Sequence, residues 1–99
     1  MIQIIVLLEI NDQASFRKFE AKAITIMGKY QGQLLSAFTL NKTESTLPKI
    51  DEVHCLQFPT LDAFKRYRRD PELKNLAELR EKGLSKTTVL VSDNTVIYS

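Results

Sequence analysis

The stretch from Val53 to Arg80, VHCLQFPTLDAFKRYRRDPELKNLAELR, constrains the fold more than any other. Val53-His54-Cys55-Leu56-Gln57-Phe58 alternates without a glycine, the pattern of a strand partly covered on both faces. Pro59 stops it, because proline has no amide hydrogen to give to a neighbouring strand. Thr60 can then cap a helix, and Asp62 in its first turn complements the helix dipole. Leu61, Ala63, Phe64 and Tyr67 form an apolar stripe, while Lys65, Arg66, Arg68 and Arg69 fill the remaining positions. Asp70-Pro71 is a fresh cap with proline at the first helical position, where its missing N–H costs nothing. Leu73, Leu76, Ala77 and Arg80 then share one face, and Gly83 is placed to close the segment in the left-handed conformation. A strand feeding two bent helical segments needs a sheet to sit in.

The rest of the chain supplies it. Ile2 to Ile10 is apolar on both faces for most of its length, as in a central strand. Asn11-Asp12 is a turn and cap. Phe16, Phe19, Ala23, Ile26, Met27 and Tyr30 then follow a helical period, with Gly28 weakening the last turn and Gly32 suited to the position after it. Leu34 to Leu40 reads as a second strand, with Leu34, Ser36, Phe38 and Leu40 on one face and Leu35, Ala37 and Thr39 on the other. Asn41 to Lys49 is a polar connection and the expected mobile loop. Lys86 to Ser92 is a β-branched strand, and Thr95 to Tyr98 is a final extension or edge strand.

The order β-α-β-β-α-β spans residues 1–99 as one domain. It predicts an α+β fold of the ferredoxin-like type, an antiparallel sheet with both helices on one face. Two helices cannot bury Ile5 and Leu7 on one side together with Ile4, Val6 and Leu8 on the other. A second copy of the sheet is the simplest cover, so a face-to-face homodimer through the open sheet face is expected.

Composition excludes several function classes. A net charge of +2 over 99 residues is too small to argue for nucleic acid. The basic cluster Lys65, Arg66, Arg68 and Arg69 is flanked by Asp62, Asp70 and Glu72 and reads as a solvated helix face. One cysteine and one histidine allow neither an internal disulfide nor a Cys/His metal cluster within one chain. The apolar N-terminus lacks a basic leader and runs into Glu9 and Asp12, so it is read as a strand, and no stretch is long enough to span a membrane. A cytoplasmic protein is expected. Gly28, Gly32 and Gly83 sit at helix ends rather than in a P-loop or dinucleotide fingerprint, and no cofactor is expected.

Four residues stand out as candidate ligand contacts. His54, the only histidine, is either a general base or a hydrogen-bonded histidine of the sheet or dimer interface. Cys55 alternates to the opposite face, so the two form no nucleophile–base pair. Tyr67 and Arg80 project from the helical region toward the sheet. An arginine on an apolar face needs a carboxylate, with Glu9 or Glu78 as internal choices, or an anionic ligand. Gln57 adds a polar group from the strand below.

The run from Val53 to Val91, with Gln57-Phe58-Pro59-Thr60-Leu61, Asp70-Pro71-Glu72 and Leu79-Arg80, resembles a bacterial family of roughly hundred-residue proteins of unknown function. Members show a Phe-Pro-Ser, then Ser-Pro-Glu-Tyr, then an Arg; here Leu73 stands in place of the Tyr. The family lies in the dimeric α+β barrel superfamily. The resemblance implies a dimer of ferredoxin-like protomers with packed sheets, in a superfamily that includes cofactor-free monooxygenases, lactone isomerases, haem proteins and binding modules. Fold alone does not choose among these. Three functions are therefore expected as alternatives. One is a dimer binding a small oxygenated or acidic molecule between helix and sheet. The second is a cofactor-free enzyme with His54 as base and Arg80 holding an anion. The third is a non-catalytic interaction subunit using the 41–49 loop or the final strand.

Overall fold

A computed structural model describes residues 1–98. The elements are β1 (Ile2–Ile10), α1 (Gln13–Met27), a 3-10 turn (Gly28–Tyr30), β2 (Gln33–Thr39), β3 (Glu52–Phe58), α2 (Leu61–Arg68), α3 (Pro71–Lys74), α4 (Ala77–Gly83) and β4 (Leu84–Val91). The strands form one antiparallel sheet in the order β2-β3-β1-β4. This is the ferredoxin-like α+β arrangement, with the helices on one face of the sheet.

Local chemistry sets the helix starts. Asp12 accepts from the Ser15 amide at 3.0 Å to open α1, and the Thr60 hydroxyl accepts from the Ala63 amide at 3.1 Å to open α2. Asp70, with Pro71 behind it, accepts from the amides of Glu72 and Leu73 at 2.8 and 3.3 Å to open α3. The expected single segment from Pro71 to Arg80 is two pieces. Asn75 and Leu76 interrupt it, and α4 begins without a side-chain cap.

β1 pairs with β3 and β4, aligning Ile4 with Leu56 and Val91, and Val6 with His54 and Val89. Two buried clusters lie between this face and the helices. Ile4, Met27, Leu56, Phe58 and Phe64 pack at one end, and Leu8, Phe16, Phe19, Ala23 and Leu84 at the other; Val6 touches both. Each fully buried Phe or Leu of this set contributes roughly 1.5–3 kcal/mol.

Several sequence expectations change. No glycine has a positive φ. Gly83 ends α4 because Leu84 turns directly into the extended conformation. What Gly83 requires is space: a Cβ there would sit 2.6 Å from the Phe16 nitrogen, and its carbonyl accepts from the Asn11 and Asp12 amides at 2.8 and 3.2 Å. The left-handed residue after the first helix is Gln31, at φ 60°, while Gly32 leaves room for the Phe58 ring and Met27. A bulge between Leu34 and Ser36 breaks the expected alternation of β2. Leu34 therefore shares the helix-covered face with Ala37 and Thr39, and Ser36 lies with Phe38 on the other. Thr95 to Tyr98 forms no strand, and Val96, Ile97 and Tyr98 are exposed. The 41–49 connection is clasped by Lys42, whose ammonium donates to the carbonyls of Pro48 and Ile50 and to Asp51 at 2.6–3.0 Å. No helix is long and apolar enough to cross a membrane.

Candidate functional site

A cavity of about 450 Å³ opens where the two core clusters part, roofed by the helices and floored by the sheet. Its volume lies within the roughly 300–1,000 Å³ usual for small-molecule sites. Val6, Leu8, Leu56 and Val89 form much of the floor, and Phe19, Met27 and Phe64 much of the wall. The polar groups within this lining are few. Glu20, His54, Tyr67 and Thr87 sit inside, the Thr87 hydroxyl buried without a partner among the described residues, and Arg68, Lys74 and Arg80 are exposed at the rim.

Strand alternation decides which candidates reach the cavity. Along β3, His54, Leu56 and Phe58 face the helices, and Cys55 and Gln57 face away. The structure therefore unites His54, Tyr67 and Arg80 but leaves Gln57 on the open sheet face beside Met1. The expected polar group from the strand below does not enter the site, because Gln57 is an odd number of residues from His54.

His54 is buried, hydrogen-bonded at one ring nitrogen and faced by a carboxylate at the other. Glu52 Oε2 lies 2.5 Å from Nε2, and Glu20 Oε2 lies 3.5 Å from Nδ1. The carboxylates approach opposite edges of the ring, so they do not converge on a point that a metal could fill. Among the described residues no group of three His, Cys, Asp or Glu side chains can hold a metal ion. Burial is the main force on Glu20; with the Glu52 charge it raises the Glu20 pKa against the opposing pull of His54.

The sequence reading missed Glu20. Its signal was present: Glu20 sits four residues after Phe16 and three before Ala23, inside the apolar stripe of α1. A carboxylate within such a stripe has to meet a partner under the helix.

Tyr67 packs its ring 5.4 Å from that of Phe58, at the cavity wall. Desolvation raises its pKa, and the charges of Glu20 and Asp70 add to the shift, so the phenol stays protonated across the neutral range. No side-chain hydrogen bond is among the causes of its shift. Beside it, buried Asp70 accepts from the Tyr30 hydroxyl at 2.5 Å and from Lys29 at 3.0 Å. The Tyr30 bond first, with Lys29 and two backbone amides, pulls the Asp70 pKa down to about 2.

The rim is cationic and unneutralised. The ion pairs among the described residues involve Lys29, Lys42, His54 and Arg66, and none involves Arg68, Lys74 or Arg80. Neither Glu9 nor Glu78 serves as an internal partner for Arg80. Arg68 lies over the Phe64 ring at 5.4 Å, directing its charge across the apolar wall.

The model of a family described as a domain of unknown function, DUF1330, matches residues 3–94. No curated protein matches the chain. Solved structures of the same architecture include a protein of unknown function from Rhodopseudomonas palustris, with TM-score 0.79 and 12% identity over 97% of this chain and 83% of that one. SnoaB from Streptomyces nogalater, a cofactor-independent oxygenase, aligns with TM-score 0.67 and 11% identity over 97% of this chain and 94% of its own. A dimeric protein of unknown function from Bacteroides fragilis with a ferredoxin-like fold aligns with TM-score 0.65 and 15% identity, covering 94% of this chain and 95% of that one.

Proposed function

The chain belongs to the DUF1330 family of unknown function, and from that premise we propose that it is a cytoplasmic homodimer that binds a small organic acid between its helices and its sheet. The ligand has an apolar body that fills the cavity and a carboxylate that meets the rim. The observation that carries this reading is the set of Arg68, Lys74 and Arg80 around an apolar opening, with no carboxylate of the described residues within 4 Å. Guanidinium groups bind carboxylates with paired, charge-assisted hydrogen bonds, and desolvation by a bound apolar body strengthens them.

Dimerisation through the open sheet face is part of the proposal. Ile5, Leu7, Val53 and Cys55 lie on that face, with Phe38 49% and Leu90 52% exposed toward its edges. A patch of this kind is normally covered in solution. The similar protein from Bacteroides fragilis is described as dimeric. The free Cys55 thiol fits a reducing compartment.

Calorimetric titration with 3-phenylpropanoate and with its neutral amide tests the reading. The acid is expected to bind and the amide to bind at least about tenfold more weakly, with Arg80→Gln removing most of that difference. Equal binding of acid and amide, or no binding of either, overturns it.

A further inference from the structure

Glu20 and Tyr67 line the same cavity from two different helices, and the acid-binding reading gives neither of them a task. Glu20 engages His54 through Oε2, and no protein hydrogen bond is made by its Oε1 among the described residues. No side-chain hydrogen bond contributes to the environment of the Tyr67 hydroxyl either. A base and a neutral hydrogen-bond donor thus share a largely apolar space with a cationic rim. We propose, resting on the acid-binding reading above, that Glu20 is a general base and Tyr67 an oxyanion donor for proton transfer at carbon in a bound oxo acid.

The step balances without gain or loss of electrons. Glu20 takes a proton from the carbon next to the ligand's carbonyl. The C–H pair becomes a C=C bond, and the carbonyl π pair moves to oxygen, where the Tyr67 hydroxyl donates to it. Glu20 then returns its proton, to that oxygen in a keto–enol tautomerisation or, where the ligand already carries a C=C bond next to the deprotonated carbon, to the far carbon of that bond in a double-bond shift. Arg80, Arg68 and Lys74 hold the carboxylate throughout.

The surroundings suit both partners. Burial makes the Glu20 carboxylate a stronger base than a solvated one, and the same burial keeps Tyr67 protonated as a donor. His54, hydrogen-bonded to Glu52 at 2.5 Å, stands 3.5 Å from one oxygen of Glu20 and biases the carboxylate's orientation. It is a positioning residue. The charged or titratable side chains that share the lining with Glu20 are His54 from β3, Tyr67 and Arg68 from α2, Lys74 from α3 and Arg80 from α4. A general base of this kind contributes roughly hundredfold or more, and an oxyanion donor a comparable factor.

Phenylpyruvate is the probe, with 3-phenylpropanoate as the acid that lacks the carbonyl. Exchange of the C3 protons in D2O is followed by NMR, and affinity by calorimetry. Wild-type protein is expected to speed exchange at least about tenfold over buffer. E20Q is expected to bind phenylpyruvate within about twofold of wild type while exchange drops to background. Y67F is expected to bind similarly and to lose about tenfold or more of the acceleration, and it carries the test alone should E20Q not fold. Saturable binding of phenylpyruvate without exchange, or exchange undiminished in E20Q or Y67F, overturns the proposal and leaves the acid-binding reading standing. So does binding of 3-phenylpropanoate alone. Binding of neither acid overturns both.

Discussion

Glu20 and His54 meet across the cavity, with the Glu20 Oε2 3.5 Å from the His54 Nδ1, one carried by α1 and the other by β3. Nothing local joins them. The helix has to cross the sheet above β3 before the carboxylate can reach the ring, and burial then lifts its proton affinity above that of a solvated glutamate.

That relationship has a sign in stability. The ordinary Glu20 value of 4.5 is raised in the folded state, so between 4.5 and the folded value the native chain holds more protons than the unfolded one. Stability from this group is greatest below pH 4.5 and declines as pH rises through that window. Urea midpoints measured from pH 4 to 7 are expected to show E20Q gaining on wild type as pH increases; a constant difference would count against the assignment.

Asp70 runs the other way. Its pKa falls from 3.8 to about 2, chiefly through the Tyr30 hydroxyl, so its contribution is complete above 3.8 and is lost as pH falls toward 2. D70N and Y30F are each expected to lower the thermal midpoint by several degrees at pH 7, with the deficit shrinking as the wild type is acidified below pH 3.8. Scanning calorimetry at pH 7, 3.5 and 2.5 reads it directly.

Two glycines should respond in opposite directions to the same substitution. A Cβ at Gly83 meets the Phe16 backbone at 2.6 and 2.8 Å, which no side-chain rotation can relieve. G83A is expected to cost about 2 kcal/mol or more. Gly28 has φ −60°, and a methyl group added there would meet nothing within 4 Å, so G28A is expected to stabilise by about 0.5 kcal/mol through the unfolded state. Chemical denaturation of both variants checks the pair.

The open sheet face gives a prediction about assembly. Leu90→Arg places a charge where Leu90 is half exposed beside Ile5 on β1. It is expected to convert a dimer into a monomer in light scattering, with the circular dichroism of the fold retained. A wild type already monomeric at micromolar concentration removes the dimer from the proposal.

Much of the fold was legible because its signals are local. The alternation of Val53 to Phe58, the Thr60 cap and the Asp70-Pro71 start each depend on a few adjacent residues, and all stand in the structure. Family membership was legible for the same reason. The misses share a different cause. The bulge at Leu35, the interruption at Asn75 and Leu76, and the close approach of Gly83 to Phe16 are set by partners distant in sequence. Gln57 lies three residues from His54, so strand alternation sets the two on opposite faces whichever face the helices cover. Glu20 was overlooked because its partner, His54, lies on another element. The rim cations were visible as charges, but their lack of carboxylate neighbours is a property of packing alone.

The interrupted roof has a consequence for how the cavity admits its contents. Of its two joints, the one at Asp70 is riveted by Tyr30, Lys29 and two amides, whereas the one at Leu76 carries no side-chain cap. Beyond the loose joint, α4 is pressed against α1 at Gly83 and runs straight into β4. The compliant part is therefore the short piece α3, suspended between a rivet and a soft hinge directly above the opening. Leu73 on that piece packs against the cluster of Leu8, Phe16, Phe19, Ala23 and Leu84, so any swing of this trapdoor has to lift Leu73 from the core, and the width of the opening is tied to the packing beneath it.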